Sequence, residues 1–527
     1  MAGGLLNLVA HGQSSILLYG NPQKTFFMVV YKRITNFGMQ RFRTDYQGSR
    51  VLNLSEETVM DFKIPRYAEL LGDTYVAVSM PDVWSALTLD PSGDYAESGF
   101  KWIKELGSNM IKHVTVYSGS NTLARYTGEY FSAVVQRDYS DAKKDLWNRM
   151  TGNTTEMNDP ANAFDRDNMY PNAFFQGTTN IEPSIRGRMI YIPIDAWFSR
   201  CSKLAFPLVS LQYNELHISI TFRAIRELYV IRDTTDIANG YPYVAPNLTE
   251  NTHQLYRYLN PPSDISGTTM YPSRQYNWNP DIHLINTYYF LSKDERIIFA
   301  KNDQKYLIKD MYAKPFYNVT GSKTVNVASL GLISSYMFRF RRSDAFMRNE
   351  WSNYSNWPYN QIPFNITQAG SPDPTQFLIT GDYESANIKS ILHDLAILLD
   401  GKYREDLLEN GVYQYIEKYI RTSGGARDGL YMYNFCLNTD PFVYQPSGAM
   451  NLDKFENVDF QFNTIQPPSN PDASSGFVTL CDDEGNIVGT RKNIWNLNEY
   501  NYDLEIFEER YNVIMFKSGM CGLMFAR

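Results

Sequence analysis

Short segments in which apolar and polar residues alternate are the feature that most constrains the fold of this chain. The segment Asn214–Arg223 places four apolar residues at alternate positions, and Val458–Asn463 repeats the pattern with valine and phenylalanine. Because successive side chains of a β-strand point to opposite faces of a sheet, such segments bury one face and expose the other. The pattern predicts β-sandwich strands, with one face in the core and one in water.

The chain is long for a single hydrophobic core and rich in residues that favour strands. Its 527 residues make two domains the natural expectation. Aromatic residues make up 15% of the chain, and their side chains suit pleated, half-buried surfaces and large interfaces. With 32 Gly and 25 Pro, the composition predicts many short strands joined by turns.

Turn signals separate the predicted strands, and helical patterning is sparse. Hairpin loops are predicted at Tyr117–Asn121 and Asp482–Asn486, and a turn at Asp400-Gly401 closes the apolar run Ile391–Leu399. Three short segments have a helical pattern: Ala124–Gln136, Asp141–Met150 and Tyr413–Ile420. Many strands with few helices predict an all-β protein built from sandwiches or jelly rolls.

Three other segments are expected at the surface or in contacts. Thr25–Tyr31 is apolar on both faces, so we predict a strand buried on both sides, with a neighbouring subunit as one candidate for the cover. Two long polar stretches, about Asp233–Pro280 and Ser343–Pro374, are rich in Asn, Pro, Ser, Thr and Tyr. Their composition predicts elaborated surface loops.

The charge distribution indicates no surface for nucleic acid. The net charge is −8 and both signs are mixed throughout, whereas proteins that grip nucleic acid usually carry a basic face or arm. The densest basic run is Arg339, Arg341 and Arg342, which we interpret as a solvated rim beside a strand or a subunit contact. We therefore expect no direct contact with nucleic acid.

The cysteines and the hydropathy pattern indicate the compartment. The four cysteines are widely spaced and form no C-x-x-C pair: Cys201, Cys436, Cys481 and Cys521. This spacing argues against a disulfide framework or a zinc site and suits a reducing environment. The start of the chain lacks the pattern of a signal peptide, and no apolar run is long enough to cross a bilayer. We expect a soluble protein made in the cytoplasm.

The residue patterns typical of catalysis, metal binding and phosphate binding are missing. The six histidines lie far apart, and His113 and His217 fall in alternating strands, where satisfied sheet residues are expected. Gly20–Thr25 ends in Lys-Thr but lacks the preceding glycine of a phosphate loop, and we interpret it as a turn. Acidic pairs such as Glu508-Glu509 are interpreted as solvated charges. The sequence predicts no enzyme, no cofactor and no metal.

Exposed aromatic loops support the main alternative, a glycan-binding or attachment protein. The candidate contact residues are Tyr271, Tyr276, Trp278, Trp351, Tyr354 and Trp357. Packing that stabilises the loops is the other interpretation of these aromatic residues. Possible glycosylation sites are Asn247 and Asn353, because these N-x-[ST] motifs fall in the long loops. A third alternative, a β-sandwich hydrolase, requires a dense acidic cleft.

Segments along the whole chain resemble one known family. They include Met1–Ala10, Gly20–Gln23, Tyr191–Ile194, Leu204–Leu208, Leu211–Leu216, Tyr289–Leu291, Tyr306–Ile308, Gln445–Gly448, Tyr511–Val513 and Gly522–Phe525. In this order, they resemble the major capsid proteins of nucleocytoplasmic large DNA viruses, such as those that infect algae and amoebae. Asn214 stands where that family often has His, 50–100 matches only loosely, and the two long loops are longer than in compact members.

The resemblance implies a double jelly roll, two tandem eight-stranded sandwiches with a few short helices and long surface loops. Residues 1–22 would be an arm that contacts neighbouring capsomers or minor capsid proteins. The first jelly roll would span 23–299, with a loop insertion at about 233–280. The second would span 300–527, with an insertion at about 343–374.

The resemblance also implies a structural function and a set of partners. Three copies would form a homotrimeric capsomer of pseudo-hexagonal outline that tiles an icosahedral shell. Neighbouring capsomers, minor capsid proteins and penton proteins would be its contacts, and an internal membrane would lie beneath the shell. The protein would be made in the host cytoplasm and assembled into virions at the viral factory. A minor capsid protein of the same fold is a further alternative.

Overall fold

The structure is a computed structural model of the single chain. It describes residues 12–85, 87–89, 93, 95–166, 170–171, 182–234, 243–261, 278, 280–357, 389–467, 477–481, 487–492 and 500–525. Sixteen long or central strands make up four sheets, and we number them β1 to β16 in chain order.

The first eight strands form one sandwich. They are β1 Phe37–Asp45, β2 Thr58–Lys63, β3 Leu70–Ser79, β4 Ile111–Ser118, β5 Asn121–Thr127, β6 Met189–Pro193, β7 Leu216–Phe222 and β8 His283–Leu291. One sheet has the order β1-β8-β3-β6 and the other has the order β2-β7-β4-β5, and every neighbouring pair is antiparallel. The short strand Phe206–Pro207 extends the first sheet beside β3.

The second eight strands repeat this arrangement. They are β9 Gln304–Phe316, β10 Ser322–Asn326, β11 Leu332–Arg342, β12 Leu392–Leu399, β13 Lys402–Glu409, β14 Leu430–Asn434, β15 Val458–Thr464 and β16 Tyr502–Lys517. The sheets have the orders β9-β16-β11-β14 and β10-β15-β12-β13, so each strand matches the one eight places earlier. Even the short strand beside β3 has a counterpart, Met450–Asn451 beside β11. The chain is therefore a structural tandem repeat of two jelly rolls.

One helical segment of each sandwich occupies an equivalent position, directly after the hairpin between the fourth and fifth strands of that sandwich. Helix α1, Gly128–Asp138, follows the β4–β5 hairpin, and α2, Asp141–Thr151, comes next. Helix α3, Lys293–Lys301, connects the two sandwiches. The segment α4 follows the β12–β13 hairpin and consists of a π-helical turn, Val412–Ile416, continued by the α-helix Glu417–Arg421.

The remaining short elements decorate the loops. The short strands are Leu87–Leu89, Tyr95–Glu97, Lys101–Trp102, Tyr229–Arg232, Tyr243–Val244, Phe477–Cys481, Ile487–Lys492 and Met520–Leu523. Single helical turns or short helices are Gln13–Ser15, Ile16–Tyr19, Leu106–Met110, Thr155–Asn158, Pro160–Asn162, Trp197–Arg200, Ser202–Leu204, Leu208–Ser210, Ile225–Glu227, Asn251–His253, Tyr256–Leu259, Ala345–Met347 and Leu452–Lys454.

Apart from the strand predicted at Thr25–Tyr31, the predicted strand and turn signals are confirmed where the structure describes them. Strands β7 and β15 alternate between buried and partly exposed residues along their whole length. The β12–β13 turn has both Asp400 and Gly401 at positive φ, 47° and 74°, which is the backbone of a two-residue hairpin turn. The hairpin predicted around Asp482–Asn486 is flanked by paired strands, although its turn lies outside the described residues.

The helix predicted at Ala124–Gln136 begins later than expected. Ala124 belongs to β5, and Thr127 caps the helix by accepting a hydrogen bond at its hydroxyl from the Tyr130 amide, at 3.1 Å. A Cβ atom on Gly128 would lie 1.9 Å from the carbonyl oxygen of Ser108, so only glycine fits at this strand-to-helix junction. The helices predicted at 141–150 and 413–420 are confirmed.

The strand predicted at Thr25–Tyr31 and the solvent exposure predicted for the two long loops are wrong for the residues that the structure describes. Thr25–Tyr31 forms no strand, and its apolar side chains are exposed to solvent in the single chain. The described parts of the two long loops, 243–261 and 343–357, are largely packed against the first sandwich. For example, the Asn349 side chain donates hydrogen bonds of 2.8 Å to the carbonyl oxygens of Arg226 and Tyr229. Their polar residues are used in buried hydrogen bonds, which composition does not distinguish from solvation.

The two hydrophobic cores differ in extent. The core of the second sandwich lies between its own sheets and includes Tyr336, Phe338 and Phe460. The core of the first sandwich continues beyond its own sheets and includes Met337 and Phe507, which face out of the second sandwich. The two sandwiches therefore share one continuous apolar contact.

Candidate assembly surfaces

The contact between the two sandwiches is extensively buried. Helix α1 lies on the outer face of β11 and β16, and all its residues except Gln136 are buried. The Tyr130 ring packs edge-on against Phe507, with a centroid distance of 5.8 Å. Edge-to-face aromatic pairs add stabilisation to the burial of apolar area. This packing joins the two sandwiches into one block.

A buried ion pair lies at the centre of this contact. Arg137 donates two hydrogen bonds of 3.0 Å to the Glu509 carboxylate, and neither side chain is more than 1% exposed. The Tyr130 hydroxyl donates to the same carboxylate at 2.8 Å. Burial opposes ionisation of Glu509, but the charges of Arg137 and Lys309 outweigh it and hold the pKa of Glu509 well below its usual range. Both residues of the pair are thus charged at neutral pH.

A second charge cluster surrounds Glu129, the first acidic residue of α1. Its carboxylate pairs with Arg223 at 2.8 Å, with Arg341 at 3.3 Å, and closely with Arg339. The Trp351 ring lies 4.6 Å from the Arg223 guanidinium and 5.5 Å from that of Arg341. The cluster ties the first sandwich, the outer face of β11 and the loop after β11 together.

The expectation that the arginine run is a solvated rim is wrong. Arg339 and Arg342 are 1% and 3% exposed. Arg339 faces α1, because the outer face of β11 is covered by the first sandwich, whereas Arg342 ends the strand and forms a bidentate pair with Asp344 at 2.8 and 2.9 Å. Arg339 and Arg341 are therefore part of the contact between the two sandwiches, whereas Arg342 pairs within the second half of the chain. The residues next to this run in the sequence do not indicate that the first sandwich covers it.

A cleft of about 870 Å³ opens beside this contact, with charged residues from both sandwiches on its walls. Burial, together with Arg125 and Lys112, lowers the pKa of His113 to about 4. Burial raises the pKa of Asp310, on the opposite wall, to about 6. Within the described parts of the chain, no three His, Cys, Asp or Glu side chains are grouped as a metal site would require.

The predicted glycan-contact residues pack inside the loops where the structure describes them. The indole N–H of Trp278 donates to the Ser79 carbonyl oxygen at 2.6 Å, and that of Trp351 donates to the Glu227 carbonyl oxygen at 3.0 Å. Tyr354 is 6% exposed and Trp357 is half-buried. Tyr271 and Tyr276 lie outside the described residues. The packing interpretation therefore fits the described aromatic residues.

The two possible glycosylation sites have different environments. Asn247 is exposed, and its side-chain oxygen accepts hydrogen bonds from the amide and hydroxyl of Thr249. Asn353 is 5% exposed, and its side-chain N–H donates to the Trp357 carbonyl oxygen at 2.6 Å. The expected exposure of Asn353 is wrong, so glycosylation stays a prediction for Asn247, the site that is accessible.

The amino-terminal segment presents the largest exposed apolar run among the described residues. The arm is defined here as residues 12–36, and its exposed large apolar side chains are Ile16, Leu17, Leu18, Tyr19, Phe26, Phe27, Met28, Val29, Val30, Tyr31 and Ile34. Their exposed fractions range from 65% to 98%. Such a run normally marks a contact with another molecule. A chain with two joined jelly rolls and an apolar arm has the architecture of a double jelly-roll capsid subunit.

Comparison with known families identifies the chain. Residues 25–259 match the family model of the major capsid protein N-terminus, and residues 295–522 match that of the large eukaryotic DNA virus major capsid protein. The chain belongs to the major capsid protein family of large eukaryotic DNA viruses. It is a structural protein of the virion capsid shell, and the family is not one of enzymes.

Individual relatives match over the full length. The major capsid protein of Paramecium bursaria Chlorella virus 1 is 24% identical over 537 aligned residues, covering 100% of each chain. The major capsid protein of Phaeocystis pouchetii virus is 23% identical, again over 100% of each chain. A probable capsid protein of Acanthamoeba polyphaga mimivirus is 22% identical over 89% of this chain and 94% of the relative.

Solved structures confirm the double jelly-roll fold. A chain of the quasi-atomic model of the PBCV-1 virus capsid superimposes with a TM-score of 0.62 at 18% identity, covering 95% of this chain and 100% of the other. The Faustovirus major capsid protein gives a TM-score of 0.59 at 14% identity, covering 98% and 99%. Among the described residues, no helix is both long and apolar enough to cross a membrane.

Proposed function

We propose that three copies of this chain form a homotrimeric capsomer of pseudo-hexagonal outline that tiles an icosahedral shell. The observation that carries the proposal is the tandem repeat: sixteen strands form two equivalent sandwiches, joined through α1 and the Arg137–Glu509 pair. Three copies then present six similar blocks around one axis, which matches a nearly hexagonal lattice. Family membership supports the same assembly, because the relatives are capsid proteins.

We also propose the division of the chain into functional parts. Residues 1–22 would act as a contact arm, 23–299 as the first jelly roll and 300–527 as the second. The strands support a boundary near residue 300, because β8 ends at Leu291, β9 begins at Gln304 and α3 lies between them. The exposed apolar side chains as far as Ile34 support a contact segment that extends past residue 22, so we propose that it includes residues 12–36 as well.

Neighbouring capsomers, minor capsid proteins and penton proteins are the proposed partners of the assembled capsomer. The membrane would lie beneath the shell, and the capsid chain would be made in the host cytoplasm and assembled at the viral factory. The net charge of −8 supports the absence of a direct nucleic-acid contact. A minor capsid protein of the same fold differs in abundance, and copy number in purified particles separates the two.

The test is the mass and shape of the purified full-length chain. Light scattering should give three times 60.8 kDa, and negative-stain images should have a hexagonal outline. A monodisperse monomer at all concentrations would contradict the trimer. Glycan binding that is lost on replacing Trp351 and Trp357 with alanine would instead favour the attachment alternative, which the buried position of Tyr354 and the packed indole of Trp351 do not support.

A further inference from the structure

The two sandwiches are equivalent in topology but differ in what covers them. Helix α1 after β5 is buried, whereas its counterpart α4 after β13 is exposed on its outer side. The exposed fractions on α4 are 64% for Tyr415, 51% for Ile416, 91% for Tyr419 and 62% for Ile420. Four adjacent large apolar side chains on one short helix are rarely left in water. Among the described residues, nothing covers this side of α4 as the second sandwich covers α1.

The sheets that would receive these helices show the same asymmetry. The outer face of the second sandwich carries Met337, Met432 and Phe507, all 0% exposed because the first sandwich covers them. The corresponding outer face of the first sandwich is only partly covered: Met39 and Tyr191 on its outer strands are 65% and 39% exposed, and Asp73 and Tyr75 on β3 are half-buried. This face is formed by the sheet β1-β8-β3-β6.

The edge strands repeat this difference. Strand β5 is partly buried and packs near β9, whereas its counterpart β13 is exposed at nearly every residue. Strand β1, the counterpart of β9, is also exposed along most of its length, including Phe37 at 53%. The elements of the internal contact, α1, β5 and β9, thus have exposed equivalents in α4, β13 and β1. Of these, α4 and β13 belong to the second sandwich and β1 belongs to the first.

We propose that α4 and β13 of one copy dock on the outer face of the sheet β1-β8-β3-β6 in a second copy, repeating between chains the contact that α1 and β5 make within the chain. The inference rests on the proposed capsomer, and it names the surface through which neighbouring copies in that capsomer contact each other. A helix-to-sheet contact of this kind is head to tail, so successive copies form a ring when the rotation closes.

The positions of charged residues on α4 and β3 support the proposed contact between these elements. Arg137, in the last turn of α1, pairs with Glu509, which lies beside the register shift between β11 and β16. Arg421 ends α4, and Asp73 lies on β3 at the corresponding register shift against β8. Among the described residues neither Arg421 nor Asp73 forms an ion pair. Asp73 hydrogen-bonds the Tyr75 side chain, and the buried Arg421 Nε has no hydrogen-bond acceptor. The proposed contact brings the two charges together.

The experiment measures oligomer dissociation of the full-length chain by sedimentation velocity over a dilution series. Tyr419→Arg and Asp73→Arg should each weaken association at least tenfold, because a charge is placed in an apolar contact or opposite a like charge. The double variant Asp73→Arg with Arg421→Asp should recover association to within about threefold of the unaltered chain. Tyr213→Arg is the matched control, since Tyr213 is 75% exposed and lies outside these elements.

A second measurement does not depend on weakened association. Co-expressed single variants Tyr419→Cys and Tyr191→Cys should give an oxidised dimer band on a non-reducing gel, and either variant alone should not. An unaltered chain that is monomeric at every concentration would overturn both the capsomer and this contact. A stable trimer with no cross-link, whose association is unchanged by Tyr419→Arg and Asp73→Arg, would overturn this contact alone.

Discussion

Removing Arg137 tests whether the two sandwiches form one block through a buried charge pair. In Arg137→Met the carboxylates of Glu509 and Asp138, 1% and 0% exposed, lose their guanidinium. Only the hydroxyls of Tyr130 and Ser335, with Lys309 at 3.8 Å, remain near Glu509. Leaving a buried charge without its partner costs about 3 to 5 kcal/mol, so we expect the variant to lose that much of its free energy of unfolding.

The double variant Arg137→Met with Glu509→Gln separates loss of packing from loss of charge pairing. Glutamine keeps an acceptor for the Tyr130 hydroxyl and removes one of the two unpaired charges, that of Glu509, so we expect a partial recovery of about 2 kcal/mol relative to Arg137→Met alone. The control is Arg149→Met, because Arg149 pairs with Asp145 on the exposed side of α2, at 70% and 58% exposure. Its cost should stay below about 0.5 kcal/mol.

Urea unfolding followed by tryptophan fluorescence measures these costs, from the shift of the midpoint multiplied by the slope. Trypsin cleavage within α3, which offers exposed Lys293 and Lys301 between the sandwiches, reports their separation independently. We expect faster cleavage in Arg137→Met than in the control. A cost below about 1 kcal/mol for Arg137→Met, or a double variant no more stable than the single one, would refute the reasoning.

Three further changes have defined outcomes. The folded Asp310 carboxyl has a pKa of about 6, above its unfolded value, so it binds its proton more tightly in the folded state. The free energy of unfolding therefore falls as pH rises from about 4 to 6. Asp310→Asn should raise the melting temperature at pH 7.5, by the equivalent of about 2 to 3 kcal/mol, and should leave it unchanged at pH 4. Phe507→Ala should cost about 3 to 5 kcal/mol in urea unfolding, because a fully buried ring leaves a cavity, whereas Phe164→Ala, 75% exposed, should cost almost nothing. Deletion of Met1–Asn21 should leave a folded trimer by light scattering but impair shell formation by electron microscopy, and normal capsids from the deletion would contradict the role of the arm.

The strands and turns could be predicted because their signals are local. The alternation of apolar and polar residues in β7 and β15 indicates which face of each strand lies in the core, because every second side chain of a strand points to the same face. The Asp400-Gly401 turn follows from the positive φ angles that a two-residue hairpin requires. The helix at Ala124 was extended too far, because helical periodicity does not show where the preceding β5 ends.

The cover on each surface could not be predicted, because it depends on residues far away in the chain. Arg137 and its partner Glu509 are 372 positions apart, and no local pattern links them. An apolar run such as Thr25–Tyr31 has the same sequence pattern whether its cover is the same chain, another chain or water. Polar loop residues such as Asn349 likewise suit a solvated turn and a buried hydrogen-bond network equally well.

The sequence by itself determined the two jelly rolls, the turns between their strands and the family to which the chain belongs. Only the tertiary structure decided that the outer face of β11 is buried while Asp73 and Tyr75 on β3 stay partly exposed, and hence that Arg339 pairs with Glu129 instead of water. The physical reason is that residue periodicity records how a strand sits in its own sheet. Burial of the opposite face depends on which other element packs there, and the two tandem sandwiches present different neighbours to equivalent strands.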